Sequence, residues 1–173
     1  MKQDLQIRQS LMEFQTLFLH GIDQGEIPDD RDKAPLKHHW TPKDPDYGCY
    51  SYAREMFMPK GMVVVGAIHK KAHLTFLMKG TMTVVSEDGG KRTLTGPMTF
   101  VSPAGVKRAF HILEDSILVC VHLTATSGED NLDPIWDEVI SPTYEAIGLK
   151  EPDLSRMNDF IESNQKNNKR VGS

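Results

Sequence analysis

The sequence predicts a mainly β protein, an antiparallel sandwich or barrel with flanking helices. Between Cys49 and Thr124, short segments rich in Val, Ile, Phe, Tyr and Thr are separated by Gly, Pro and Asp turns about every eight to twelve residues. The clearest hairpin is TMTVVSEDGGKRTLT, in which Asp88-Gly89-Gly90 provides the turn. A chain of 173 residues, 39% of them hydrophobic, suits one domain with a buried core.

Helical patterns flank the β-rich region. Apolar residues about three or four apart predict an N-terminal amphipathic helix that ends near Gly21, and two or three helices are expected after Ser127. These helices should cover one outer barrel face through Leu11, Phe14, Phe18, Trp136 and Ile140. Four prolines between Gly25 and Tyr47 predict an extended arm or loop. We therefore divide the chain into a helix with a proline-rich arm (1–48), a β-barrel (49–126), and C-terminal helices with a polar tail (127–173).

Composition and motif content exclude several classes of protein. The net charge of −4 argues against a dedicated nucleic-acid binder, because phosphate affinity depends on clustered Lys and Arg. No apolar run reaches the roughly 18 residues of a membrane span, and the N-terminus lacks a secretory pattern. We therefore expect a cytoplasmic protein without a membrane partner. Cys49 and Cys120 form no CxxC pair and are expected to be free thiols.

Two histidines in the stretch GMVVVGAIHKKAHLTFLMKG, which runs from Gly61 to Gly80, are the main candidates for chemistry. His69 and His73 are four residues apart, as in helical zinc motifs, but the flanking β-branched runs favour strand and loop. The chain has no GxSxG elbow, no HExxH motif and no glycine-rich phosphate loop before a helix. The stretch by itself therefore leaves open whether the two histidines bind a metal.

The same stretch resembles the first motif of the cupin superfamily, which pairs turn glycines with His and Glu metal ligands. The corresponding positions here are Gly61, Ala67, His69, His73 and Gly80. The second cupin motif is matched by Pro103, Ala104 and Gly105, with Gly96 one residue early and Arg108 in place of its histidine. The resemblance covers about residues 50–124 and implies a cupin-type double-stranded β-helix, a jelly-roll barrel.

A narrower resemblance concerns small cupin-like proteins encoded by bacteriophages and prophages. The segments that carry it are AREMFMPKG, IHKKAH, FVSPAGVKR and VHLT. This likeness implies a setting in the host cytoplasm and names no reaction.

A tightly held first-row metal needs three or four converging ligands, so His69 and His73 require a third. If Arg108 points into the barrel, strand alternation sends His111 outward. His122, at the end of the strand SILVCVHLT, is the preferred third ligand, with a hydrogen-bonded core histidine as its alternative. We expect the three histidines to bind one divalent transition metal, namely zinc, iron, manganese or nickel.

Three charged residues are candidates for ligand binding: Arg54, Glu55 and Arg108. Only one member of the Arg54–Glu55 pair can point inward, because neighbouring residues in a strand face opposite sides. A buried Arg108 needs an anion, which could come from a structural salt bridge, for instance with Glu55, or from a bound carboxylate or phosphate.

Three functions remain open at this point. The first is a metal-binding cupin that binds or transforms a small polar or anionic molecule. The second is a non-catalytic structural or virion-associated barrel. The third is a metal-free, epimerase-like sugar-binding cupin with His73 or His69 as general base. A homo-oligomer is expected, most simply a dimer, because barrel faces and edge strands need cover and the proline-rich arm is long enough to reach a partner.

Overall fold

The structure is a computed structural model that describes the backbone of residues 2–171 and the side chains of residues 5–163. Its helices are α1 (Lys2–Asp23), α2 (Leu132–Val139) and α3 (Ser155–Val171). Its strands are β1 (Leu36–Trp40), β2 (Tyr50–Met58), β3 (Val63–Val65), β4 (Ile68–His69), β5 (His73–Lys79), β6 (Thr81–Ser86), β7 (Gly90–Thr95), β8 (Met98–Ser102), β9 (Arg108–Ile112), β10 (Ser116–Thr124) and β11 (Ile140–Ser141).

The strands form antiparallel sheets in a jelly-roll barrel, with helices before and after it in the chain. One sheet has five strands in the order β1-β2-β10-β5-β8, and the other has four in the order β3-β9-β6-β7. The expected hairpin is confirmed: β6 pairs with β7, and residues 87–89 form its tip. The positive φ of this turn lies at Gly90, at +61°, rather than at Gly89.

The arm predicted for residues 25–47 contains a strand that we did not predict, because its four prolines indicated an extended arm or loop. β1 pairs along its whole length with β2, from Leu36 opposite Met56 to Trp40 opposite Tyr52. Pro35 lies directly before this strand, where it interrupts no ladder hydrogen bond, so its presence is compatible with pairing. The five-stranded sheet therefore begins before residue 49, where we placed the start of the barrel.

Alternating apolar residues of the two sheets build the core between them. The side chains of Met58, Leu77, Met82, Val84 and Ile112 are fully or almost fully buried there. Some residues of this core, among them Phe110 and Leu118, also line the cavity that holds the polar side chains of the candidate site. Burial of each such apolar side chain stabilises the fold by about 1.5–3 kcal/mol.

The helices pack less completely than their apolar patterns predict. Leu11 of α1 and Ile140 after α2 are buried, but Phe14 remains 40% exposed and Trp136 48% exposed. α1 contacts both α3 and β6. Among the described helices, none has the length and apolarity needed to cross a lipid bilayer.

The segment that follows the barrel is tied to the strand that carries His69. β11 pairs with β4, with Ile140 opposite His69, and the Lys70 amide donates to the Val139 carbonyl at 2.8 Å. The Lys70 ammonium also donates to the Asp137 carbonyl. These bonds hold β4, which is two residues long and has no partner in the larger sheets.

A buried carboxylate, Glu87, joins the helices to the barrel. Its Oε2 accepts from the Arg8 guanidinium of α1 at 2.7 and 2.8 Å. Its Oε1 accepts from the Tyr144 hydroxyl at 2.6 Å and from the Lys107 amide at 3.1 Å. The guanidinium of Arg8 also lies over the Tyr144 ring, 4.2 Å from its centroid. One side chain at the β6–β7 turn thus fixes both flanks of the chain.

Lys107 should make the protein more stable in mild alkali. Burial lowers the pKa of its ammonium to about 8, although the nearby Glu87 acts in the opposite direction. Between pH 8 and 10 the folded chain has released this proton while the unfolded chain keeps it. The unfolded state then binds more protons, so the free energy of unfolding rises with pH, by at most about 1.4 kcal/mol per pH unit.

Urea unfolding at pH 8, 9 and 10 tests this expectation, with Lys107→Met as the reference. The free energy of unfolding of the wild type, minus that of Lys107→Met, should increase as the pH rises. Burial raises the pKa of the Tyr144 hydroxyl, which lowers the free energy of unfolding above pH 10 in both proteins and so cancels in the comparison. Parallel stability curves for the two proteins would contradict the assignment.

The two glycines that bound the cupin-like motif differ in how tightly they are enclosed. Both have positive φ, +87° at Gly61 and +94° at Gly80. A Cβ on Gly80 would lie 2.6 Å from the Asp115 carbonyl oxygen, whereas a Cβ on Gly61 meets no atom within 4 Å. We expect Gly80→Ala to reduce the free energy of unfolding by about 1–3 kcal/mol more than Gly61→Ala, as measured by urea denaturation. Equal decreases in the free energy of unfolding would show that the positive φ alone determines the effect of the substitution.

Candidate metal centre

Strand positions bring three histidines to one end of the barrel interior. His69 is the last residue of β4 and His73 the first of β5, with a three-residue turn between them. β10 runs antiparallel to β5, with Val121 opposite Leu74, which places His122 beside His73 on the inner face. All three side chains are buried.

The three imidazole rings lie in mutual contact. Their centroids are 4.1 Å apart for His69 and His73, 4.4 Å for His73 and His122, and 5.0 Å for His69 and His122. One ring nitrogen from each lies within 4.8 Å of the other two. A tetrahedral ion with ligand bonds of 2.0–2.1 Å requires separations of about 3.4 Å, so small ring movements suffice.

Hydrogen bonding leaves ring nitrogens of the three histidines without protein partners. His69 Nδ1 and His122 Nε2 are buried and have no hydrogen-bond partner among the described residues. His73 Nδ1 lies 3.3 Å from the Lys71 carbonyl oxygen, which can only accept, so the proton is on Nδ1 and the lone pair on Nε2. Buried nitrogens without partners are costly, and an ion between the rings would satisfy them.

The surroundings keep all three imidazoles neutral at physiological pH. Burial is the largest cause, and it lowers the pKa of His69 to about 2, of His122 to about 3 and of His73 to about 4. The neighbouring histidines act in the same direction on His69 and His122, as does Arg54 on all three. Metals bind the neutral form of imidazole, so the residues present fit a borderline divalent cation.

His69 and His73 line a cavity of about 340 Å³ inside the barrel, with His122 in contact behind them. Its other polar lining includes Thr75, Ser102, Arg54 and Arg108, and most of the remainder is apolar. Ala67, at the position of the first cupin histidine, also lines it. A few polar groups converging in an apolar cavity of this size are typical of small-molecule sites.

Arg108 lies inside the barrel and is paired within the protein. As strand alternation predicts, Phe110 and Ile112 are buried beside it while His111 is exposed. One nitrogen of the guanidinium donates to Asp88 Oδ2 at 3.0 Å, and another to Ser102 Oγ at 2.5 Å. The suggested bridge to Glu55 is therefore wrong, because the hairpin register places Ser86 opposite Arg108 and brings Asp88 within reach.

The alternative between Arg54 and Glu55 is settled by the strand faces. Arg54 points inward with Tyr52 and lines the cavity. Glu55 points outward, where its carboxylate lies 3.2 Å from Lys37 Nζ and 3.5 Å from His39 Nε2. This position gives Glu55 no access to the cavity, so it is dropped as a ligand-binding candidate.

Two side chains near the histidines have roles that the sequence did not indicate. The Tyr52 ring packs against His122, with 6.3 Å between centroids, and its hydroxyl lies 2.7 Å from His38 Nδ1. Trp136 of α2 lines the cavity and faces Arg54. No motif marks these residues, because their place depends on the pairing of β1 with β2 and on the docking of α2.

No protein-family model matches the chain, and no curated protein matches it. Solved structures that share part of its architecture include KdgF from Halomonas sp., at 20% identity over 55% of this chain and 82% of that one, with a TM-score of 0.39. Ectoine synthase from P. lautus is 12% identical over 58% of this chain and 70% of that one, with a TM-score of 0.45. A cupin superfamily protein from Desulfitobacterium hafniense is 12% identical over 52% and 78%, with a TM-score of 0.40. Such low scores carry nothing about activity, and the jelly-roll assignment rests on the strand pairing of this chain.

Proposed function

We propose that this protein binds one divalent first-row metal ion through His69, His73 and His122 and holds a small anionic molecule in the adjoining cavity. The observation that carries the proposal is the contact of three buried, neutral imidazoles, two of which have a ring nitrogen without a hydrogen-bond partner among the described residues. Zinc, iron, manganese and nickel all accept such a ligand set.

The cavity supports the second half of the proposal. Three guanidinium groups line it, and one of them, that of Arg54, has no carboxylate partner among the described side chains. A metal ion held by three neutral ligands keeps its full charge, which favours an anion in an open coordination position. When bound, the ion supplies Lewis-acid polarisation of a ligand oxygen. The protein itself supplies orientation, through the arginines, and exclusion of water, through the apolar walls.

Equilibrium dialysis with metal analysis tests the metal site. The wild type should retain about one equivalent of zinc per chain, and His73→Ala should retain none at the same free concentration, because two ligands hold zinc weakly. His39→Ala removes an exposed histidine of β1 and should bind as the wild type does. Zinc retention by His73→Ala at the wild-type level would refute the proposed site.

A structural or assembly barrel is the second candidate, and one observation favours it. Arg108 occupies a cupin ligand position, and its pairing with Asp88 turns that position into an internal ion pair. A wild-type protein that binds no zinc, manganese, iron or nickel would support this candidate over the first. The epimerase-like function, the resemblance to phage and prophage proteins and the cytoplasmic setting stay predictions.

The expected homo-oligomer also stays a prediction. The outer face of the five-stranded sheet exposes several large apolar side chains, namely Leu74, Met78, Val101 and Leu123. Light scattering at micromolar concentration measures the mass of the particle directly, and a monomer would contradict the prediction.

A further inference from the structure

Arg54 differs from the other arginines of the cavity in its partners. Arg108 is paired with Asp88 and Arg31 with Asp29. Among the described side chains, no carboxylate is paired with Arg54, whose contacts are the Trp136 ring, 5.2 Å from its guanidinium carbon, and the Cys120 thiol. A guanidinium in the wall of a cavity has lost part of its hydration, so an anion bound to it would stabilise its charge.

The contact with Trp136 leaves the guanidinium suited to a carboxylate. An arginine that stacks on an indole face keeps the edge of its planar fork available for two parallel hydrogen bonds. Both residues line the cavity of about 340 Å³ beside the histidines and an adjoining one of about 180 Å³ that His122 also borders. Trp136 is half exposed, so the pair lies where the cavity meets solvent.

The remaining wall of the cavity beside the histidines is largely apolar. The apolar side chains that line it include Met56, Val64, Phe100, Phe110 and Leu118. A ligand without an apolar body would leave these side chains against water, whereas an aromatic or branched body would bury them.

We propose that the cavity takes a small monocarboxylate with an apolar body, whose carboxylate is held by Arg54 on the face of Trp136. This inference rests on the proposed function, because it names the ligand class of the same cavity, but the contact with Arg54 does not itself require the metal. A divalent ion with three neutral ligands adds positive charge beside the arginine. Binding of the ion and of the carboxylate should therefore strengthen each other.

Isothermal titration of the full chain with benzoate, metal-free and zinc-loaded, tests the inference. Arg54→Gln should lower the affinity for benzoate about ten- to hundredfold, the usual effect of losing charge-assisted hydrogen bonds to a carboxylate. Arg54→Lys keeps the charge without the fork and should lose less. Arg156→Gln, at an exposed arginine of α3 that does not line this cavity, is the control and should bind as the wild type does. Benzamide, the neutral isostere, should bind the wild type at least about tenfold more weakly than benzoate.

Each result decides the inference. It is overturned if the wild type does not bind benzoate, if benzamide binds as tightly, or if Arg54→Gln keeps the wild-type affinity. If thermal melting shows that Arg54→Gln does not fold, the comparison of benzoate with benzamide and the Arg54→Lys variant decide. A wild type that binds benzoate through Arg54 but retains no zinc overturns the metal site and leaves this inference standing. A wild type that binds zinc but not benzoate overturns this inference and leaves the metal site standing.

Discussion

Glu87→Ala is expected to reduce the free energy of unfolding by about 3–5 kcal/mol, because it removes one member of a buried ion pair and leaves the other member uncompensated. The same change takes away the acceptor for the Tyr144 hydroxyl and the Lys107 amide. For a domain of this size the loss corresponds to a fall in Tm of about 10 °C or more. Denaturant unfolding followed by circular dichroism measures it.

Two further variants separate the ion pair from the rest of the cluster. Glu87→Gln keeps an acceptor oxygen but loses the charge opposite Arg8, so it should cost less than Glu87→Ala. Glu114→Ala removes an exposed glutamate that accepts a single hydrogen bond from Thr81, at 2.7 Å, and should cost no more than about 1 kcal/mol. If Glu87→Ala proved as mild as Glu114→Ala, the flanks would not depend on this carboxylate.

Zinc should stabilise the wild-type protein by about 4 kcal/mol at a free concentration a thousand times its Kd, because only the folded chain brings the three histidines together. The Tm should therefore rise with zinc concentration. His122→Ala should abolish this rise, since the remaining two imidazoles do not form a stable site.

The comparison must be made within each variant, as the change in Tm between zinc-loaded and metal-free protein. Replacing a buried histidine changes the stability of the metal-free chain for reasons unrelated to metal. His111→Ala alters an exposed histidine of β9 and should keep the full zinc-dependent rise. A zinc response of equal size in His122→Ala would remove His122 from the site and restrict the proposal to His69 and His73.

Local patterns were sufficient for much of the barrel and for the choice of candidate ligands. The cupin-like motif implies that Arg108 faces inward, and period-two alternation then predicts that His111 faces outward; the structure has Arg108 buried and His111 exposed. The same reasoning selected His122, whose ring lies in contact with those of His69 and His73. The direction of a side chain needs only the parity of the residue within one strand, whereas the choice of His122 also used the strand order that the resemblance implies.

The features that could not be predicted depend on contacts between segments that are far apart in the sequence. The partner of Arg108 was sought in the strand that holds Glu55, but it is Asp88, because β9 pairs with β6. The sequence did not single out Glu87, which lies next to the predicted turn, and only the docking of α1 and of Tyr144 makes it a buried centre of hydrogen bonds. β1 was missed because the surrounding prolines are equally compatible with a loop.

The pairing of β11 with β4 has a consequence for the timing of assembly during protein synthesis. A ribosome makes the chain from the N-terminus, so His69, His73 and His122 are all translated before Ile140 and Ser141. The strand that holds His69 in place finds its partner only after those later residues have emerged. The pocket is therefore completed only after Ser141 has been translated, and a nascent chain stopped after Thr124 contains every candidate ligand without the segment that pairs with β4.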